Sequence, residues 1–302
     1  MSGAHDEVVQ KAQDVVASYA ASRGRSNPWS SLSTLLRQMQ REYEDRFLYE
    51  LVQNAYDAHP PDADGEIAIL LAEDESDHGV LYVANRGNPF ARENFDAICE
   101  LAQSNKTPDE SIGNKGVGFK SVLQVCEWPE IYSRTHADAP ECDGYCFTFA
   151  RLDWYDELAG GDKDLAEALR EDVAPYFLPV PLTDPPASVL DFAERGFASV
   201  LRLPLKSAAA ADVARSRVAK LESESVPLHL FLPHLQRCSP GSASSPSTRR
   251  TRSRVSTAET PSSRTSNSHA SPPTIRCPTS SKRAAPFARW QAFRLDSSTT
   301  RL

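Results

Sequence analysis

The stretch Arg46-Phe-Leu-Tyr-Glu-Leu-Val-Gln-Asn-Ala-Tyr-Asp-Ala58 runs directly into His59-Pro60-Pro61. Read as a helix, it stops where the prolines remove backbone donors and restrict the residue before them. Leu48, Leu51, Val52 and Ala55 supply an apolar side. Glu50, Asn54 and Asp57, at i, i+4 and i+7, share the other face. Most polar stripes of this kind are simply solvated. A carboxylate one turn from a carboxamide can also act as a pair. The acid takes a proton from water, while the amide oxygen ligates a magnesium ion that keeps several of its waters.

Working outward, Glu7 to Ala21 reads as a helix, with Val8, Ala12, Val15, Val16 and Tyr19 near helical spacing. Asn27-Pro28 breaks it, and Ser30 to Ala58 continues as an interrupted helix. Glu66–Ala72 and Gly79–Ala84 are short β-rich runs around an acidic turn, which predicts a hairpin. Arg92 to Gln103 is a third helix, with Phe95, Ile98 and Leu101 on one side, and a further helix carries Val122 and Val125. Glu130–Ser133, Gly144–Leu152 and Ala198–Leu205 read as strands, and Asp164–Asp172 and Ala209–Ser223 as helices. Proline-rich Pro175–Pro186 reads as an irregular connection. The order predicts an α+β layer rather than strict βαβ alternation.

Ser111-Ile-Gly-Asn-Lys-Gly-Val-Gly-Phe-Lys-Ser-Val122 places Gly113, Gly116 and Gly118 ahead of a helix-forming run. Loops without Cβ atoms can turn their N–H groups towards an anion, and the following helix adds its positive end. A glycine-rich turn without a ligand is the plain alternative. A P-loop is disfavoured because Phe119 stands where its lysine belongs, with Lys120-Ser121 one place late. The glycine order also departs from a dinucleotide fingerprint. Between the two stretches, Gly79-Val-Leu-Tyr-Val-Ala-Asn-Arg-Gly-Asn-Pro-Phe90 ends a strand at Asn85, and Gly87 and Pro89 turn the chain. The Asn85 amide oxygen could accept from an exocyclic amine, or Asn-x-Gly could be ordinary turn chemistry.

From Cys238 to Leu302 there are eleven Lys plus Arg against Glu259 and Asp296, so the preceding body holds 22 basic and 39 acidic residues, a net charge of −17. An acidic body argues against general nucleic-acid or anionic-membrane binding. The tail carries sixteen Ser, nine Thr and seven Pro with little apolar pattern, so disorder is expected over 238–302. The organised run Val226–Leu235 ends abruptly near Gln236-Arg237, as a change of reading frame would produce. A polar, acidic Met1–Glu7 shows no secretory signal, and runs such as Ile67–Ala72 are too short to span a bilayer. Cys142 and Cys146, the one close cysteine pair, match no common zinc or redox spacing, so free thiols and a cytoplasmic location are expected.

The three motifs in this order, with Leu101-Ala-Gln-Ser-Asn-Lys-Thr107 before the glycine loop, resemble the GHKL superfamily of gyrase B subunits, ninety-kilodalton heat-shock chaperones, histidine kinases and MutL proteins. In particular they are similar to the sacsin-type ATP-binding-like domains, over roughly Leu35 to Leu205. The first box, E-L-x-x-N-A-x-D-A, is matched by Glu50-Leu51, Asn54-Ala55 and Asp57-Ala58. The second, relaxed to N-x-G-x-P-F, is matched by Asn85–Phe90, and the third, I-G-x-x-G-x-G-F-x-S, by Ile112–Ser121.

The resemblance implies a Bergerat-type two-layer α/β sandwich, with a mixed, mainly antiparallel sheet covered by helices on one face. It divides the chain into an N-terminal helical segment (1–30), the ATP-binding domain (31–206), a helical continuation (207–237) and the basic tail (238–302). It implies ATP and Mg2+ as cofactors, Glu50 as general base, Asn54 on the metal, and Asn85 facing the adenine amine, with Asp57 and Gly87 beside it. Gly113, Gly116, Val117, Gly118, Phe119 and Ser121 would cradle the phosphates with Lys115 or Lys120, and Ser104 would stand near the base or lid hinge. Catalysis would rest on positioning and charge stabilisation. Asparagine in place of aspartate at position 85 weakens acceptance from the base by about 1–2 kcal/mol.

The expected activity is slow Mg-dependent ATP hydrolysis driving a conformational switch, with an unknown protein partner or client and a homodimer as candidate partners. The alternative is a non-hydrolysing nucleotide-binding module of a larger or truncated protein. A histidine kinase is disfavoured because His5 is the wrong context for a phosphoacceptor, and nucleic acid would bind only weakly, through the tail.

Overall fold

The computed structural model describes residues 3–23, 28–34, 46–60, 65–99, 117–223, 235–238 and 291–295. The first helix, α1 (Gly3–Ser22), buries Val8, Ala12, Val15 and Tyr19, the side its spacing predicts. Helical residues 28–34 (α2) follow, then α3 (Phe47–Asp57). Strands β1 (Gly65–Ala72) and β2 (Val80–Asn85) form the expected hairpin, with Ala72 opposite Val80 and Ile67 opposite Asn85. Gly79 adopts φ +86° at its tight end, a conformation that favours glycine.

Helix α4 (Arg92–Cys99) and the short α5 (Val117–Lys120) come next, and a 3-10 turn (Ser121–Gln124) prolongs α5. The remaining elements are β3 (Glu130–Ser133), β4 (Phe147–Phe149), α6 (Tyr155–Leu158), α7 (Lys163–Asp172), β5 (Pro179–Pro181), α8 (Ala187–Glu194), β6 (Ser199–Pro204), α9 (Ala208–Ser223), β7 (Leu235–Cys238) and β8 (Gln291–Leu295).

The fold is α+β. One sheet runs β5-β4-β3-β6-β2-β1-β8-β7, and every pairing among the described strands is antiparallel rather than mixed. Alternation sorts the strand residues onto two faces. Ile67, Ile69, Leu81, Val83, Ile131, Phe147, Phe149 and Leu203 join the larger core beneath α1, α3, α4, α7 and α9. Ala68, Leu70, Val80, Tyr82, Ala84, Tyr132 and Val200 face the opposite way and pack with Val189, Phe192 and Phe197. Helix α8 therefore covers part of the face that a two-layer sandwich leaves bare, which corrects the expectation of helices on one side only.

Two further differences concern the chain's course. Pro175–Pro186 is not wholly irregular: β5 pairs with β4 at the sheet's edge, where proline's missing donor is tolerated. Within the tail expected to be disordered, Gln291–Leu295 is a strand lying between β1 and β7. Val8, Val15 and Tyr19 of α1 and Ala214 and Leu221 of α9 share one core with α3. Ser33 ties α2 into the same body, donating to the Asp172 carbonyl at 2.9 Å and accepting from the Ala174 amide at 3.0 Å. Among the described residues no helix is long and apolar enough to cross a membrane.

Candidate functional site

The apolar stripe of α3 fixes its roll. Phe47, Leu48, Leu51, Val52 and Ala55 are buried, which turns Asn54 and Asp57 to the exposed side and leaves Glu50 half-buried. The three polar residues thus share one face, as their spacing requires. Among the described residues, neither the Glu50 carboxylate nor the Asn54 carboxamide takes a hydrogen-bond partner. The helix ends through ordinary backbone bonds, Ala58 N–H to the Asn54 carbonyl at 3.2 Å and His59 N–H to Tyr56 at 2.9 Å. The His59 ring bonds the Ala55 carbonyl through Nδ1 at 2.8 Å, and burial lowers its pKa.

The second motif is built directly onto this helix end. The Asn88 amide donates to the Ala58 carbonyl at 2.7 Å. A Cβ at Gly87 would meet the Ala58 oxygen at 2.6 Å and the His59 nitrogen at 3.0 Å, so only glycine allows the turn to lie this close. Asn85, half-buried, spends one lone pair of its side-chain oxygen on the Gly87 amide at 3.0 Å. The turn chemistry expected of Asn-x-Gly is therefore present, and one acceptor direction of the amide oxygen is left over. Arg86 bridges to Glu66 at 3.1 Å and lies 5.0 Å from the Phe197 ring centroid. Sequence reasoning missed this clamp, although the hairpin contains its signal: with Ile67 opposite Asn85, Glu66 falls opposite Arg86.

The third motif is described from Val117 onward. Its α5 helix packs against α3 and α4, and the 3-10 turn after it also touches α3. Val117 and Gly118 open α5, and the side chains of Phe119, Lys120 and Ser121 are all buried. Phe119 stands 6.4 Å from the Tyr176 ring. The Lys120 amine lies 5.7 Å from the same ring centroid, and burial pushes its pKa down to about 8. Phe119, Lys120 and Ser121 thus anchor α5 in the core. Gly113, Lys115, Gly116 and Ser104 lie outside the described residues. Motifs one and two, and the described end of motif three, meet around α3.

Among the described residues no group of three or more His, Cys, Asp or Glu side chains converges as a metal site. Cys99, Cys126, Cys142 and Cys146 are free thiols. No family model matches the chain. Over 92 residues, 30% of the chain, it is 38% identical to Protein NO VEIN of Arabidopsis thaliana, and that match spans 3% of the plant protein's length.

Proposed function

We propose that the chain is an Mg-dependent ATP-binding module of the GHKL, sacsin-like type that hydrolyses ATP slowly and uses it as a conformational switch. The observation that carries this reading is the α3 face: an acid and an amide one turn apart, engaged with no other described residue, next to the glycine turn of the second motif and the helix of the third.

The residues fit a magnesium–nucleotide pair of a particular kind. With no three-residue acidic cage among the described residues, Mg2+ would rest on the Asn54 oxygen, phosphate oxygens and water, which is how this ion commonly binds beside nucleotides. The metal, when bound, would neutralise charge developing on the phosphates. Glu50 would hold and deprotonate the attacking water. Asp57 and the free acceptor direction of Asn85 would face the base side, and the backbone from Gly113 to Gly118 the phosphates.

A non-hydrolysing nucleotide binder is the second reading, favoured by two observations. Asn85 already accepts from the Gly87 amide, and the Lys120 amine is committed to the core. Both reduce the grip on ATP relative to a site with a free aspartate and an exposed cation.

Titration calorimetry with ATP, ADP and GTP, with and without magnesium, tests binding. Magnesium-dependent phosphate release by wild type and Glu50→Ala separates the two readings. Saturable ATP binding with equal background release by both proteins supports the non-hydrolysing module. No binding of any nucleotide ends both.

A further inference from the structure

Each N–H of the second motif after Asn85 has an acceptor. Arg86 N–H donates to the Glu66 carbonyl at 3.0 Å, Gly87 N–H to the Asn85 side-chain oxygen at 3.0 Å, and Asn88 N–H to the Ala58 carbonyl at 2.7 Å. Pro89 has no N–H. Phe90 N–H donates to the Ser133 hydroxyl oxygen at 2.8 Å. Ser133 is therefore the one acceptor in this series that is a side chain from outside the motif. It ends β3 and is 0% exposed. Its own proton finds the Arg134 carbonyl at 3.2 Å or the Ala198 carbonyl at 3.3 Å, and the Ser199 hydroxyl lies 3.1 Å away. Register puts Asn85, Ser199 and Ser133 in line across β2, β6 and β3. Alternation from Val83, Leu203 and Ile131 puts all three on the sheet face beneath α3.

These bonds matter because residue 85 is an asparagine. A carboxamide has an acceptor end and a donor end. Turned one way it accepts from the exocyclic amine of adenine; turned the other way it donates to the exocyclic oxygen of guanine. The Gly87 N–H holds the acceptor end, so a flip would set two donors against each other. That N–H keeps its place while the turn around it is held, by Glu66 on one side and by Ala58 and Ser133 on the other. Without the Ser133 oxygen, the Phe90 N–H loses its acceptor beside the Tyr145 and Phe147 rings, and the turn must shift to find another.

We propose that Ser133 is a positioning residue that sets base choice: by holding the second motif it keeps the Asn85 amide oxygen directed at an adenine amine and excludes guanine. The inference rests on the reading of the chain as a nucleotide-binding module with Asn85 on the base side, and it deepens that reading.

Titration of the full-length chain with ATP, GTP and tripolyphosphate, each with magnesium, tests it. Wild type should prefer ATP. Ser133→Ala should cut the ATP-to-GTP preference about tenfold, the worth of one hydrogen bond, and leave tripolyphosphate affinity unchanged. In an Asn85→Asp background, whose carboxylate has no donor end to present, the same substitution should leave the preference unmoved. Equal weakening of all three ligands, an unmoved preference in the Asn85 chain, or a like drop in the Asn85→Asp background overturns the role of Ser133 and leaves nucleotide binding standing. A wild type that takes ATP and GTP alike does the same. Where Ser133→Ala does not fold, Ser133→Cys replaces it, close in volume and a weaker acceptor; if neither folds, Ser133 serves the fold alone and the proposal fails. No nucleotide binding by wild type ends both readings.

Discussion

Replacing Gly87 with alanine asks whether the second motif really rests on the end of the first. The new Cβ would lie 2.6 Å from the Ala58 oxygen, 2.7 Å from its carbonyl carbon and 3.0 Å from the His59 nitrogen. The carbon contact is about 1 Å inside the usual optimum. All three neighbours are backbone atoms, so no side-chain rotation relieves the overlap. The turn must withdraw, and the 2.7 Å bond from the Asn88 amide to the Ala58 carbonyl goes with it. Overpacking of about 1–3 kcal/mol and about 1 kcal/mol for the hydrogen bond sum to about 2–4 kcal/mol of lost stability. Gly160 provides the control, since it has φ +65° and nothing within 4 Å of its built Cβ. Alanine there incurs only the backbone cost of about 1–2 kcal/mol. Urea unfolding of the two variants decides the matter. If Gly87→Ala is no more destabilising than Gly160→Ala, the second motif does not rest on α3 and the site loses its frame.

Three other outcomes are expected. Asn54→Ala, at an exposed position, should weaken ATP binding in magnesium about tenfold, near 1.4 kcal/mol, and leave magnesium-free binding unchanged; equal losses in both conditions would remove Asn54 from the metal. Lys120 has a folded pKa lowered from 10.5 to about 8 by burial, so the folded state binds fewer protons than the unfolded one. Its destabilising contribution is complete below about pH 8 and fades as pH rises towards 10.5, by on the order of 3 kcal/mol. Urea midpoints of wild type should therefore rise over that interval more than those of Lys120→Met, and parallel curves would contradict the buried charge. Arg202 bonds Glu130 at 2.8 Å and Glu75 at 3.2 Å on the α8 face, and Tyr82 and Ser188 join the same network. Arg202→Ala strands two carboxylates and should cost about 3–5 kcal/mol in chemical denaturation, whereas the exposed Arg215→Ala should leave the unfolding midpoint nearly unchanged.

Much of the frame was legible from local pattern. The β1–β2 hairpin, α1, α7 and α9 follow from periodicity and turn chemistry, and α3 ends against His59-Pro60 as its prolines require. The extent of β4 was overread, because Gly144–Leu152 contains only three residues that find a partner strand. Helix α8 escaped because it is short and has a proline at its N-cap. β5 escaped because two of its three residues are prolines, and only the edge position beside β4 makes them acceptable.

By itself the sequence determined which residues could act together along one segment: the Glu50–Asn54–Asp57 face, the Asn85–Gly87 turn, and the glycine run before Phe119. Those relations are set by helix pitch and backbone freedom, which are local. Only the tertiary structure decided that Gly87 touches Ala58, that Lys120 is taken into the core beside Tyr176, and that residues 291–295 close the edge of β1. Each of these depends on which apolar surfaces meet across long stretches of chain, and burial of that kind has no period for a sequence to display.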